Sequence, residues 1–165
     1  MKKLQWKLQE VEGFDKPKIV LEQYATSAEL ATQMLSYIHS EYDDIESKAV
    51  ADFGCGTGML SIAAALLGAG SVVGFDIDSD ALEIAQRNCE EQEITIDFIQ
   101  TDLETLTPPE GRQLFDVIIT NPPFGTKKNA GIDVRFVQTA LKFAPVVYSL
   151  HKTTTRKVFF AYLIV

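Results

Sequence analysis

The sequence predicts an α/β fold with a mainly parallel sheet and helices on both faces. Three observations predict it. From residue 49 onward, short apolar runs alternate with helix-period segments, the pattern of βαβ units. Two of those runs, AVADFG (49–54) and FDVIIT (115–120), are apolar at nearly every position, as strands covered on both faces are. The first run opens into a glycine-rich turn that leads into a helix.

The elements follow in order. Leu4, Leu8 and Val11 are spaced for one face of a short N-terminal helix. KPKIVLEQYAT (16–26) is irregular or extended. Ser27 is placed to cap a helix whose apolar positions Leu30, Met34 and Ile38 recur at helical spacing. MLSIAAALL (59–67) reads as helix, with Gly68 or Gly70 to end it, and SVVGFDI (71–77) as strand. Residues 79–92 read as helix with Ser79 as N-cap, and IDFIQ (96–100) as strand. DVRFVQTALKFA (133–144) reads as helix and VVYSL (146–150) as strand. The β-branched and aromatic residues of KVFFAYLIV (157–165) favour a strand, which as an uncovered segment is an aggregation hazard.

A chain of 165 residues with 46% apolar content has the size and composition of one globular domain. No apolar run approaches the roughly 20 residues a membrane helix needs. The basic start MKK has no apolar core after it, so no secretory signal is expected. Cys55 and Cys89 make neither a disulfide framework nor a zinc site, and a reducing setting is the default. His39 and His151 lack partners at metal-ligand spacing, so no metal is expected. A net charge of −8 weighs against a domain that grips nucleic acid alone, because phosphate binding rests on Lys and Arg.

Four strand ends carry chemistry. DFGCGTG (52–58) places Gly54, Gly56 and Gly58 as G-x-G-x-G; Met59 stands where the dinucleotide pattern has its third glycine. This is a loop a ligand can approach closely, or an ordinary glycine turn. Asp76 ends the second strand about 20 residues on, the place of a carboxylate that accepts from ribose hydroxyls. Its bland alternative is a solvated strand-end charge. Asp102 ends the third strand, where it can accept from an exocyclic amine of adenine or stand as a loop acid. NPPF (121–124) ends the fourth. Asn121 and Pro122 each precede a proline and are pushed towards extended geometry, which fixes their carbonyl directions. The Asn121 amide both accepts and donates, and Phe124 offers a face for a base. A Pro-Pro turn over a core phenylalanine is the alternative.

In this order, DFGCGTG, GFDID and NPPF resemble the class I methyltransferases of the amino-methylating type, with a Rossmann-like fold. GFDKPKIVLEQYAT, NPPFGTKKNAGID and YSLHKTTTR extend the resemblance to the methyltransferase-like protein 5 family, over about residues 10–156. The resemblance implies N6-methylation of an adenosine in small-subunit (18S) ribosomal RNA, with S-adenosyl-L-methionine as cofactor. A small zinc-binding methyltransferase activator subunit is the implied partner, and cytoplasm and nucleus the implied location. Gln23 and Thr26 would close over the methionine end of the cofactor. Gly54, Thr57 and Met59 would line the glycine loop, Asp76 would hold the ribose, and Asp102 and Leu103 would frame the adenine. Asn121, Pro122, Pro123 and Phe124 would be the catalytic tetrapeptide. One methyltransferase domain is expected: a helical and lid segment (1–48), a core (49–156) and a divergent tail (157–165). The tail does not match the family's closing antiparallel hairpin, so the expected sheet lacks it and leaves strand edges unpaired.

Lys127, Lys128, Lys152 and Arg156 follow two of the strand ends and are candidates for phosphate contacts, or solvated loop charges. Two other functions remain open. A glutamine side-chain amide on a protein poses the same problem to NPPF as an adenine amine. An inactive module that holds the activator or RNA is the second.

Overall fold

The computed structural model describes residues 1–110, 112–125, 129–152 and 157–163, with backbone alone for 152 and 157–163. Lys127, Lys128, Arg156 and the side chain of Lys152 therefore lie outside the described residues.

Helices α1 (Lys2–Leu8) and α2 (Ala28–Tyr42) precede the alternating part. It runs β1 (Ala49–Phe53), α3 (Met59–Leu66), β2 (Ser71–Asp76), α4 (Ser79–Glu91), β3 (Asp97–Gln100) and β4 (Val117–Thr120). Then come α5 (Ile132–Phe143), β5 (Val146–Lys152) and β6 (Lys157–Leu163). The sheet order is β3-β2-β1-β4-β5-β6. The first five strands are mutually parallel and β6 is antiparallel to β5. β1 lies between β2 and β4, with Phe53 level with Phe75 on one side and Thr120 on the other. Strand order reverses there, so a crevice opens at the carboxyl ends of β1 and β4.

The apolar strands are sorted by the two-residue period. Val50, Val117, Ile119 and Tyr148 pack with Leu8, Leu35, Ile38 and Ile62 of α1, α2 and α3. The intervening Ala51, Phe53, Ile118 and Val147 pack with Phe75, Leu103, Ala140 and Phe143 on the other face. Both faces of β1 and β4 are thus in core. Each fully buried Val, Ile or Phe there contributes roughly 1.5–3 kcal/mol of hydrophobic stabilisation.

Helix ends follow local chemistry. Ser27 Oγ accepts from the Leu30 N–H at 3.2 Å, as its position predicts. Ser79, the expected cap of α4, is instead its first residue. Asp78 takes the cap position and accepts from the Asp80 N–H at 3.2 Å. Asp and Ser are comparable caps, and Asp78 is the one also held in place by Lys18 and Gln23. Gly68, at φ +88°, follows the end of α3. KPKIVLEQYAT contains one 3-10 turn, Ile19–Leu21.

The tail corrects an expectation. Lys157–Leu163 is a strand, and its pairing runs from Val146–Leu163 to Lys152–Lys157, so the edge of β5 is paired rather than open. Among the described residues no helix is long and apolar enough to cross a membrane, and no group of three His, Cys, Asp or Glu could hold a metal ion.

Candidate active site

Because β1, β2, β3 and β4 run the same way, Gly54, Asp76, Asp102 and Asn121 leave their strands on one side of the sheet. The chain turns sharply after Phe53. The Gly54 and Cys55 N–H groups both donate to the Phe75 carbonyl, at 2.8 and 3.0 Å. Gly56 lies at φ +53°, and a Cβ there would come within 2.8 Å of the Phe14 ring. Gly58 lies at φ +89°, and a Cβ there would press Ala85 of α4 at 3.3 Å. The second glycine therefore lets the N-terminal segment close over the loop, and the third brings α3 and α4 together.

Asp76 ties this loop to β2. One oxygen accepts from the Gly56 N–H at 2.8 Å, the other from the Asp78 N–H at 2.9 Å. Burial raises its pKa, against those two hydrogen bonds. Asp102 likewise turns inward on the chain, accepting from the Glu104 N–H at 2.9 Å, and Leu103 beside it is buried. Arg135 of α5 pairs with Glu104 across the same rim.

The end of β4 is held from three directions. Thr120 Oγ1 donates to the Phe53 carbonyl at 2.6 Å, fixing it beside the glycine loop. Asn121 Nδ2 donates to Thr26 Oγ1 at 2.8 Å. The Gly125 N–H donates to Glu22 at 3.0 Å. With Nδ2 committed to Thr26, Asn121 Oδ1 is the acceptor left over, and it is buried without a hydrogen-bond partner among the described residues. Phe124 stacks on Tyr24, ring centroids 5.4 Å apart at 24°. One face of the expected base platform is thus backed by a second ring.

A cavity of about 300 Å³ joins these ends, at the lower bound of small-molecule sites. Gln23, Gly54, Asp76, Asp102, Leu103 and Asn121 line it together with Pro122 and Pro123. Thr26, Thr57 and Met59 line a smaller space of about 40 Å³ that shares Gly54 and Asn121. Every residue expected at the site therefore lines one or both spaces except Phe124, which is reached through Tyr24.

Two expected roles change in detail. Thr26 orients the Asn121 amide as well as lining the smaller space. The Gln23 amide is spent on a latch: Nε2 donates to Asp78 at 2.6 Å and Oε1 accepts from the Lys18 N–H at 2.8 Å. The Lys18 ammonium completes the latch on Asp78 and Asp80. Burial pushes the Asp78 pKa up, but Lys18 and Gln23 outweigh it and the net direction is down.

Sequence reasoning passed over Asp52. It is buried at the end of β1, and Ser61 Oγ donates to its Oδ2 at 2.6 Å. Its Oδ1 has no partner among the described residues and the residue lines the smaller space. Burial pushes its pKa up to about 7, against hydrogen bonds from Ser61 and aided by the nearby Asp76. Two buried acceptors, Asp52 Oδ1 and Asn121 Oδ1, thus belong to residues that line the smaller space. That donor-hungry set suits a ligand with an ammonium group and a substrate with an exocyclic amine.

Comparison with known proteins places this geometry. A family model described as the methyltransferase small domain matches residues 26–145. The rRNA N(6)-adenosine-methyltransferase METTL5 of Danio rerio is 54% identical over 158 residues, covering 94% of this chain and 76% of that protein. A crystal structure from Pyrococcus horikoshii shares 35% identity over 93% of this chain and 74% of its own, with a TM-score of 0.82. The 16S rRNA methyltransferase RsmC of T. thermophilus, solved with AdoMet and guanosine, shares 25% identity over 73% of this chain and 33% of its own, with a TM-score of 0.60. By this identity and coverage, on a fold of the matching kind, the chain belongs to the METTL5 family of rRNA N(6)-adenosine-methyltransferases.

Proposed function

We propose that this chain methylates N6 of an adenosine in small-subunit (18S) ribosomal RNA, using S-adenosyl-L-methionine and acting with a small zinc-binding activator subunit. The observation that carries the reading is Asn121 Oδ1, a buried acceptor at the end of β4 without a partner among the described residues. When bound, the cofactor supplies an electrophilic methyl group on a sulfonium. Asp76 would accept from its ribose hydroxyls, Asp102 and Leu103 would frame its adenine, and Asp52 would balance its ammonium.

An adenine N6 lone pair is conjugated into the ring and is a poor nucleophile. Asn121 Oδ1 and the Pro122 carbonyl each accept one N6 hydrogen. This favours a more tetrahedral nitrogen and stabilises the positive charge that develops on it in the transition state. Phe124, backed by Tyr24, fixes the base along the attack line, a proximity contribution. No strong general base is needed, since the methylated ammonium loses its proton readily. The adenosine enters the crevice unpaired or extruded from its stack. The open edge of β3, where Ile99 is 45% exposed, supports docking of a partner. Competition between structured ribosomal RNA and glutamine peptides tests the substrate: label should pass to the RNA undiminished by excess peptide, with none on the peptide.

Asp52 gives cofactor binding a pH dependence. Its folded-state pKa is raised from 3.8 to about 7, so the folded protein binds the proton more tightly than the unfolded chain. Its contribution to stability therefore falls as pH rises between those values, and is lost above about 7. Ligand binding follows the opposite sign, because a cationic ligand selects the ionised carboxylate. Cofactor affinity should rise with pH up to about 7, by at most tenfold per unit, and fall once the cofactor's amino group titrates near 8. Calorimetry from pH 5.5 to 8.5 measures it. Asp52→Asn should flatten the rising limb; an unchanged limb in that variant assigns the titration to another group.

A further inference from the structure

Two adjacent β-branched residues stand out beside the crevice. Ile19 is 91% exposed and Val20 84%, more than any other large apolar side chain among the described residues. They form the 3-10 turn Ile19–Leu21, and its Val20 and Leu21 line the cavity mouth. The turn is fastened on both sides of that mouth. On one side the Lys18 ammonium holds Asp78 and Asp80, and Gln23 holds Asp78. On the other, Glu22 accepts from the Gly125 N–H beside the catalytic tetrapeptide, and Asn129 Nδ2 donates to the Val20 carbonyl at 3.5 Å. The Leu21 and Glu22 N–H groups close the turn onto the carbonyls of Lys18 and Ile19, both at 3.0 Å.

A fold gains nothing by holding two apolar side chains in water on a rigid support. The gain must come when they are covered. Val20 lines the cavity and Ile19 is its neighbour, so a protein seated on the pair would crowd the mouth through which the substrate enters. The occupant compatible with a base in the cavity is the nucleic acid that carries that base. Extruding an adenosine opens a gap in its stack and costs unstacking energy, and other nucleic-acid proteins fill such gaps with apolar side chains.

We propose that Ile19 and Val20 form an apolar wedge that enters the RNA stack beside the target adenosine, packing on the neighbouring base that the extruded adenosine leaves uncovered. The proposal rests on the RNA-methylating reading above. It gives a chain of net charge −8 a hold on the RNA that does not depend on Lys and Arg.

The test compares Ile19→Ser and Ile19→Leu with the wild-type chain, each with S-adenosyl-L-methionine and its activator subunit. Ile19 is outside the core, so its replacement leaves the fold intact. Two RNAs of one sequence context are used, one with the target adenosine base-paired in a hairpin and one an unstructured oligonucleotide. Ile19→Ser should lower kcat/KM about tenfold on the hairpin, with most of the loss in kcat, and no more than about twofold on the oligonucleotide. Ile19→Leu should match the wild type on both, and cofactor affinity should be the same in all three proteins. Equal losses on both RNAs, no loss on either, or a loss traced to weakened activator binding would overturn the wedge while leaving the RNA reading in place. A wild-type protein that methylates neither RNA but transfers to glutamine overturns that reading, and the wedge with it.

Discussion

Asn121→Ala should lower kcat for methyl transfer by about a thousandfold while leaving cofactor affinity within about threefold of wild type. Removing one preorganised hydrogen-bond partner of a developing charge costs about 10²–10³ in rate in enzymes that rely on such groups. Asn121 should sit at the upper end, for two reasons. Its Oδ1 is buried without a competing partner among the described residues, so its strength is kept for the substrate amine. Its Nδ2 is anchored on Thr26, so the acceptor is aimed before the substrate arrives. Alanine removes both the acceptor and the anchor, whereas Asp76 and the glycine loop, which lie on other strands, keep their bonds. Single-turnover rates with saturating cofactor measure the loss, and calorimetry measures the affinity. Equal loss of transfer and cofactor binding would argue that Asn121 is a cofactor ligand and not a substrate ligand.

Asp76→Ala should show the converse: cofactor affinity lower by about 10²–10³, with kcat at saturating cofactor within about threefold of wild type. Hydrogen bonds to an ionised partner contribute roughly 1.5–3 kcal/mol each, and a carboxylate that accepts from two ribose hydroxyls loses both. The variant also releases the Gly56 and Asp78 N–H groups that Asp76 now holds, so the glycine loop loses its tie to β2. Both consequences weaken ligand binding, and neither touches the N6 acceptors. Titration of S-adenosyl-L-methionine into each protein separates the two variants. An Asp76→Ala protein that binds the cofactor as tightly as wild type removes Asp76 from the ribose.

The contrast between these residues shows what a sequence makes legible. Gly54, Asp76, Asp102 and Asn121 could be found because each ends an apolar strand, and a parallel sheet puts all such ends on one side. Strand runs are readable for the same reason: two covered faces demand apolar residues at successive positions, as in Val117, Ile118 and Ile119. The Asp52 role was not readable. Its carboxylate sits inside a glycine-loop motif, and only burial against Ser61 distinguishes it from an ordinary strand-end acid. Nor was the latch of Lys18 on Asp78, which joins residues 60 apart in a segment without periodicity. Tyr24 behind Phe124 and Thr26 behind Asn121 are of this kind too, since one segment supports a loop about 100 residues away. The cap of α4 moved by one residue because Asp78 and Ser79 are both good caps, and the sequence alone offers no tie-break. The tail misled for a different reason. It does not match the family's hairpin in sequence, yet its β-branched and aromatic content describes the strand that pairs with β5.

The central claim is that Asn121 directs a methyl group onto adenosine N6 in ribosomal RNA. Its most direct test is transfer of a labelled methyl group from S-adenosyl-L-methionine to small-subunit ribosomal RNA, with and without the activator subunit, followed by digestion to nucleosides. The account predicts label in N6-methyladenosine with the wild-type chain, more of it with the activator, and none above background with Asn121→Ala. Label on a glutamine side chain, on another nucleoside, or nowhere despite tight cofactor binding would contradict it.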